Sequence, residues 1–85
     1  MITFVTHSHT IEIQTNTAFS AVERITYDGE EVSKHSSLAG STHHFEKTED
    51  GEAIQYEVII GFHLSSTGFL SVKVHRNGQL ILGVN

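Results

Sequence analysis

The sequence contains no cysteine, no proline and no tryptophan. Without cysteine, neither a disulfide framework nor a thiolate metal site can stabilise the chain. The lack of proline and of long polar runs argues against a disordered segment or a rigid linker. Hydrophobic runs are also short, and none approaches the about 20 apolar residues that a membrane-spanning helix needs.

Basic residues are scarce as well, with five against ten acidic residues and a net charge of −5. Binding to nucleic acid or to an anionic membrane needs clustered lysine and arginine, so both partners are disfavoured. The first residues, "MITFVTHSHTIEIQ", lack the basic start and apolar run of a secretion signal. We therefore expect a cytosolic protein, and a length of 85 residues predicts a single domain over 1–85.

Alternating apolar and polar residues are the strongest structural signal. Asn77-Gly78 and Asp28-Gly29 are typical of tight hairpin turns, and a third turn is predicted within "TEDGEA". We predict an all-β fold, a compact antiparallel β-sandwich (jelly-roll-like) of about seven to eight short strands. No internal repeat is evident. Period-two alternation predicts three one-sided strands, whose apolar faces are Ile54, Tyr56, Val58, Ile60 and Phe62; Leu70, Val72 and Val74; and Leu80, Leu82 and Val84.

Two segments are less regular. Over residues 16–25, apolar residues also recur at helical spacing, so a short helix competes with loop followed by strand; the β-rich surroundings favour the second. The hydroxyl-rich stretch "HSSLAGST" is predicted to be a turn. It has no nucleophile elbow and no phosphate-binding loop, so we expect no enzymatic activity and no cofactor.

Several blocks of the sequence resemble a known family. "HTIEI", "ITYDGEE", a glycine-centred segment ending in "HHF", and "SSTGFLSVKVHRNGQLIL" resemble, in order and spacing, the domain of Fas apoptotic inhibitory molecule. The resemblance spans roughly residues 9–82. It implies a β-sandwich of two antiparallel sheets and a non-enzymatic role in protein interaction, with no catalytic residues to transfer.

The histidines provide an alternative function. His7 and His9 are two residues apart on a predicted strand, so their side chains would share a face. With a third ligand such as His43, His44 or His63, they would bind zinc or copper through imidazole nitrogen. We take His7, His9 and His43 as the candidate metal ligands.

The leading hypothesis is a small soluble protein-interaction domain with an unidentified protein partner. Phe69, beside a glycine in the "SSTGF" segment, is the candidate interaction residue. Open sheet edges provide a second route, including a homodimer. A third hypothesis is an acidic inhibitor or nucleic-acid mimic of the phage type, which predicts one contiguous acidic face.

Overall fold

The computed structural model describes residues 2–16, 22–36, 40–62 and 70–84. It divides the chain into two compact units, Met1–Leu38 and Ala39–Asn85. Each unit contains one four-stranded antiparallel sheet, so the predicted all-β class with antiparallel strands is confirmed. The single domain over 1–85 stays a prediction.

The first unit contains strands β1 (Ile2–Thr6), β2 (His9–Asn16), β3 (Val22–Tyr27) and β4 (Glu30–Ser36). The second contains β5 (Gly40–Glu49), β6 (Glu52–Phe62), β7 (Leu70–Arg76) and β8 (Gln79–Val84). Within each sheet the strands follow one another in chain order, with β1 and β4, and β5 and β8, at the edges. This up-and-down order corrects the jelly-roll-like prediction, because a jelly roll needs Greek-key connections.

Each sheet has one buried face, which alternation along the strands creates. In the first sheet the buried apolar residues are Ile11, Ile13, Ile25 and Tyr27. In the second sheet they are Phe45, Ile54, Tyr56, Val58, Ile60, Val72 and Val74. The predicted apolar faces of β6 and β7 are therefore confirmed, except that the side chains of Phe62 and Leu70 lie outside the described part.

Two-residue turns join the consecutive strands at four points. Asp28-Gly29, Asp50-Gly51 and Asn77-Gly78 confirm the predicted hairpins, and both residues of each turn have positive φ. The fourth turn, His7-Ser8, also has positive φ at both positions (50° and 69°). Neither residue is the glycine or asparagine that such a turn prefers, so the sequence did not predict it.

The two sheets repeat one design, although the sequence shows no repeat. In the first, Asp28 Oδ1 accepts a hydrogen bond from the Thr10 amide at 2.8 Å, and its own amide donates to the Thr10 carbonyl at 2.8 Å. In the second, Asn77 makes the same pair of bonds with Gln55, at 2.9 and 2.8 Å. The third strand's turn thus clamps the second strand in both sheets.

A β-bulge also recurs at the equivalent place in both sheets. The register shifts opposite Ile25 and Thr26 of β3 and opposite Val74 and His75 of β7, so the extra residue lies on β4 (Val32) and on β8 (Ile81). Because of the bulge in β8, the prediction that Leu80, Leu82 and Val84 share one face is wrong. The register pairs Leu82 with Val74 but Leu80 with His75, so Leu80 is 54% exposed. An extra residue in the bulged strand changes which face the following side chains occupy.

The structure describes part of the segment 16–25, for which the sequence favoured loop followed by strand over a short helix. Strand β3 begins at Val22, which confirms the strand over 22–25, and β2 continues to Asn16. The choice between helix and loop for 17–21 lies outside the described residues. The stretch "HSSLAGST" was predicted to be a turn, but its two ends belong to strands, because Ser36 ends β4 and Gly40 begins β5.

Candidate functional site

The predicted metal ligands occupy different local environments. His7 lies in the turn between β1 and β2, whereas His9 begins β2, so the premise that the two share one strand face is wrong. The imidazole of His9 stacks on Tyr27, with ring centroids 4.9 Å apart, and its Nδ1 lies 2.7 Å from Asp28 Oδ2. His9 therefore supports the Asp28 turn.

His43, the third predicted ligand, is fully buried on strand β5 of the second unit. Its Nε2 lies 3.2 Å from the hydroxyl oxygen of Ser41, which gives the buried ring a polar partner. In the described ranges, no three histidine, aspartate or glutamate side chains are grouped so that they could hold a metal ion. His63 and the predicted interaction residue Phe69 lie outside the described residues.

A polar cluster that was not predicted lies on the buried face of the second sheet. The Tyr56 hydroxyl donates a hydrogen bond to Oε2 of Glu49, and Arg76 Nη2 donates to Oε1 at 2.8 Å. Burial, and then the Glu49 carboxylate, raise the pKa of Tyr56. The hydrogen bond to Glu49 raises the pKa of the Arg76 guanidinium. Tyr56 and Arg76 thus both donate to the Glu49 carboxylate, which is the arrangement of a structural cluster, although the buried Nε of Arg76 has no hydrogen-bond partner among the described residues.

A small cavity of about 200 Å³ lies on the exposed face of the second sheet. His44, Glu57 and His75 stand side by side there on three neighbouring strands. The Glu57 carboxylate oxygens lie 3.9 Å from His44 Nε2 and 3.5 Å from His75 Nδ1. Binding sites for small molecules usually measure about 300–1,000 Å³, so this cavity is small for an organic substrate.

The four edge strands differ in how they are protected against pairing. Charges and bulges are the usual protections of an exposed edge. Strand β5 carries three charges and has no bulge, β4 carries three charges and a bulge, and β8 has a bulge but no charge. Strand β1, with the sequence ITFVT, has neither charge nor bulge, and its register with β2 is continuous. The charged residues are Glu46, Lys47 and Glu49 on β5, and Glu30, Glu31 and Lys34 on β4.

Strand β1 also carries the most exposed large apolar side chain of the described residues, Val5 at 69%. The others are Leu80 and Val84 on β8. Every residue of β1 is β-branched or aromatic, which suits a pleated strand. Its other face, with Ile2 and Phe4, is only half-buried. The sequence predicts open sheet edges but not which strand forms them, because an edge is defined by the order of strands in the sheet.

Hydrogen bonds on the neighbouring strand show which way the β1 backbone points. The amide and carbonyl of Thr10 bond with Asp28, on the side of β3. Because these directions alternate along a strand, those of Ile11 point to β1, where Phe4 is its partner. The amides and carbonyls of Thr3 and Val5 therefore point away from β2, along the open edge.

Searches of protein-family models, of curated proteins and of solved structures find no match to this chain. Among the described residues, no helix is long and apolar enough to cross a membrane. The similarity to the domain of Fas apoptotic inhibitory molecule stays a prediction.

Proposed function

We propose that this chain is a small, non-enzymatic protein-interaction domain that binds its partner by strand pairing at β1. The observation that carries the proposal is the combination found only on that edge among the four described: no charge, no bulge, and the exposed Val5 side chain. An edge of this kind is a ready template for another strand.

Pairing would satisfy groups that the sheet leaves open. The outward amides and carbonyls of Thr3 and Val5 would bond to an extended partner segment, as in peptide recognition by strand addition. The partner's side chains would cover Val5 on one face and the half-exposed Phe4 on the other. Backbone bonds would supply affinity, and these two contacts would supply selectivity.

Other described features support a non-enzymatic role. In the cluster of Glu49, Tyr56 and Arg76, the Glu49 carboxylate is held by hydrogen bonds from both of the other side chains. In the part of the chain that is described, no serine, threonine, cysteine or lysine lines the cavity beside the row of His44, Glu57 and His75. The proposal agrees with the role implied by the family resemblance, and it keeps the cytosolic location expected from the sequence.

The acidic-mimic hypothesis finds less support. In the first sheet, Glu23 is on the buried face, whereas Glu12 and Glu31 are on the exposed face. In the second sheet, Glu49 is buried, whereas Glu57 lies on the opposite face and is half-buried. Neither sheet, taken by itself, gathers its acids on one face as a nucleic-acid mimic requires.

A selection experiment tests the proposal. Peptides that bind the immobilised domain would be selected from a random display library. The selected peptides would then be titrated into ¹⁵N-labelled protein, and the amide chemical shifts followed by NMR. We expect shifts centred on Thr3 and Val5, and Val5→Lys should weaken binding about tenfold because an edge lysine blocks pairing. Leu80→Lys is the matched control, since it places the same charge at an exposed apolar position of a bulged edge. The role of β1 would be refuted by peptides that change the amide signals of the His44, Glu57 and His75 row instead, or by peptides that bind Val5→Lys with unchanged affinity.

A further inference from the structure

We infer that one partner of the β1 edge is a second copy of this chain, paired through its own β1 in an antiparallel, two-fold arrangement. This inference rests on the proposed function. The uncharged strand makes it possible, because two copies of β1 bring no like charges opposite one another. On β4, self-pairing would instead place the charges of Glu30, Glu31 and Lys34 within the contact.

The β1 sequence is self-complementary about Phe4. In an antiparallel pair centred there, Phe4 faces Phe4 of the second copy, and Ile2 faces Thr6, all on the half-buried face. Thr3 faces Val5 of the second copy on the exposed face. Because every pair joins residues of the same face, no side chain is forced to the wrong side of the extended sheet.

The backbone directions fit the same register. Thr3 and Val5 point their amides and carbonyls outward, so each Thr3–Val5 pair would exchange both of its hydrogen bonds. The Phe4 pair then occupies the non-hydrogen-bonded position, where opposite side chains are closest and aromatic rings contact each other. Val5, the most exposed large apolar side chain among the described residues, would be covered by the second copy.

The symmetry predicts a dimer and not a filament. A two-fold interface uses the same patch on both copies, so it closes at two. We expect association mainly at high protein concentration, because a five-residue strand pair is far smaller than a standard interface.

Sedimentation equilibrium over a wide concentration range tests the inference. The unmodified chain should approach a dimer, and Val5→Lys should raise the dissociation constant about tenfold or more, since Lys is a common edge protection. Leu80→Lys should leave the constant unchanged. Circular dichroism of all three proteins shows whether the fold is kept. An unmodified chain that stays monomeric at every concentration would overturn the inference.

Cysteine pairing tests the register, and the cysteine-free chain suits it. The variants Thr3→Cys and Val5→Cys should form a disulfide heterodimer when they are mixed and oxidised. Directly opposite residues of a hydrogen-bonded pair have Cα atoms about 5.5 Å apart, within disulfide range. Either variant alone should cross-link far less, because its cysteines lie two positions out of register.

The variant Thr48→Cys, exposed on the charged strand β5, measures random cross-linking. If it cross-links with Val5→Cys as fully as Thr3→Cys does, the proposed register is wrong. A failure here is distinguishable from a failure of the proposed function. Peptides that bind β1 while the chain stays monomeric would overturn only the second copy as partner.

Discussion

The buried cluster of Glu49, Tyr56 and Arg76 gives the most direct prediction for stability. The substitution Tyr56→Phe removes one hydroxyl and keeps the ring, which stacks on Phe45 with centroids 4.9 Å apart. The hydrogen bond from this hydroxyl to the Glu49 carboxylate is lost. Because a hydrogen bond to a charged group contributes about 1.5–3 kcal/mol, we expect a loss of about 2 kcal/mol in the free energy of unfolding.

For a chain of 85 residues, about 1 kcal/mol corresponds to about 4–8 °C in Tm. Tyr56→Phe should therefore lower Tm by about 8–16 °C. Thermal and urea unfolding followed by far-ultraviolet circular dichroism measure this, since that signal follows the loss of the β-sheets. A native-like near-ultraviolet spectrum before unfolding shows that the aromatic side chains still pack.

A double-mutant cycle with Glu49→Gln separates the hydrogen bond from other effects of the substitution. If the hydroxyl acts through the carboxylate, Tyr56→Phe should cost clearly less in the Glu49→Gln background than in the unmodified chain. Equal costs in both backgrounds would refute the coupling. A Tm within about 2 °C of the unmodified value, below the effect of even a weak hydrogen bond, would refute the predicted magnitude.

Three further predictions concern pH and the backbone. Because the pKa of Tyr56 is raised in the folded state, the protonated hydroxyl stabilises the fold fully below pH about 10, and this stabilisation is lost as the pH rises through the folded-state pKa. Above pH about 10, the urea midpoint of the unmodified chain should therefore fall more steeply than that of Tyr56→Phe. Gly40→Ala should lower the free energy of unfolding by about 3 kcal/mol or more, because at φ +93° the new Cβ would lie 2.2 Å from the Ile60 carbonyl oxygen. Gly51→Ala, with open space around it at φ +79°, should cost only about 1 kcal/mol. Similar urea midpoints for the two variants would contradict this prediction. Ser8→Gly should raise Tm by a few degrees through relief of about 0.5–1 kcal/mol at φ 69°, and an unchanged or lower Tm would mean that the serine side chain stabilises the turn.

The strand pattern could be predicted where side-chain alternation and turn chemistry agree. Alternation along β6 and β7, with the Asp28-Gly29 and Asn77-Gly78 turns, led directly to the observed hairpins. The His7-Ser8 turn was missed because it uses residues that pay a backbone penalty at positive φ. A signal was available: Phe4 and Ile11 are both apolar residues on the buried side, and the register pairs them around that turn.

The candidate site depended on information that a single sequence does not contain. Whether ITFVT is a central or an edge strand follows from the order of strands in the sheet. Alternation also could not reveal the β8 bulge, which moves Leu80 to the side of His75. The buried Glu49, Tyr56 and Arg76 come together only because the strand registers align them, although all three were visible as residue types.

The repeated design of the two sheets sharpens the case for β1. Both sheets have the same strand order, the same clamp from the third strand's turn to the second strand, and the same bulge. That bulge falls on the last strand of each sheet, β4 and β8, so the shared design protects those two edges.

The first strands, β1 and β5, have no bulge and must rely on their side chains. Strand β5 carries Glu46, Lys47 and Glu49, whereas β1 carries no charge. Since a single lysine at Val5 would protect the edge without disturbing a buried side chain, the open edge is not a requirement of the fold. It is the feature that a strand-pairing partner requires, whether that partner is a second copy or another protein.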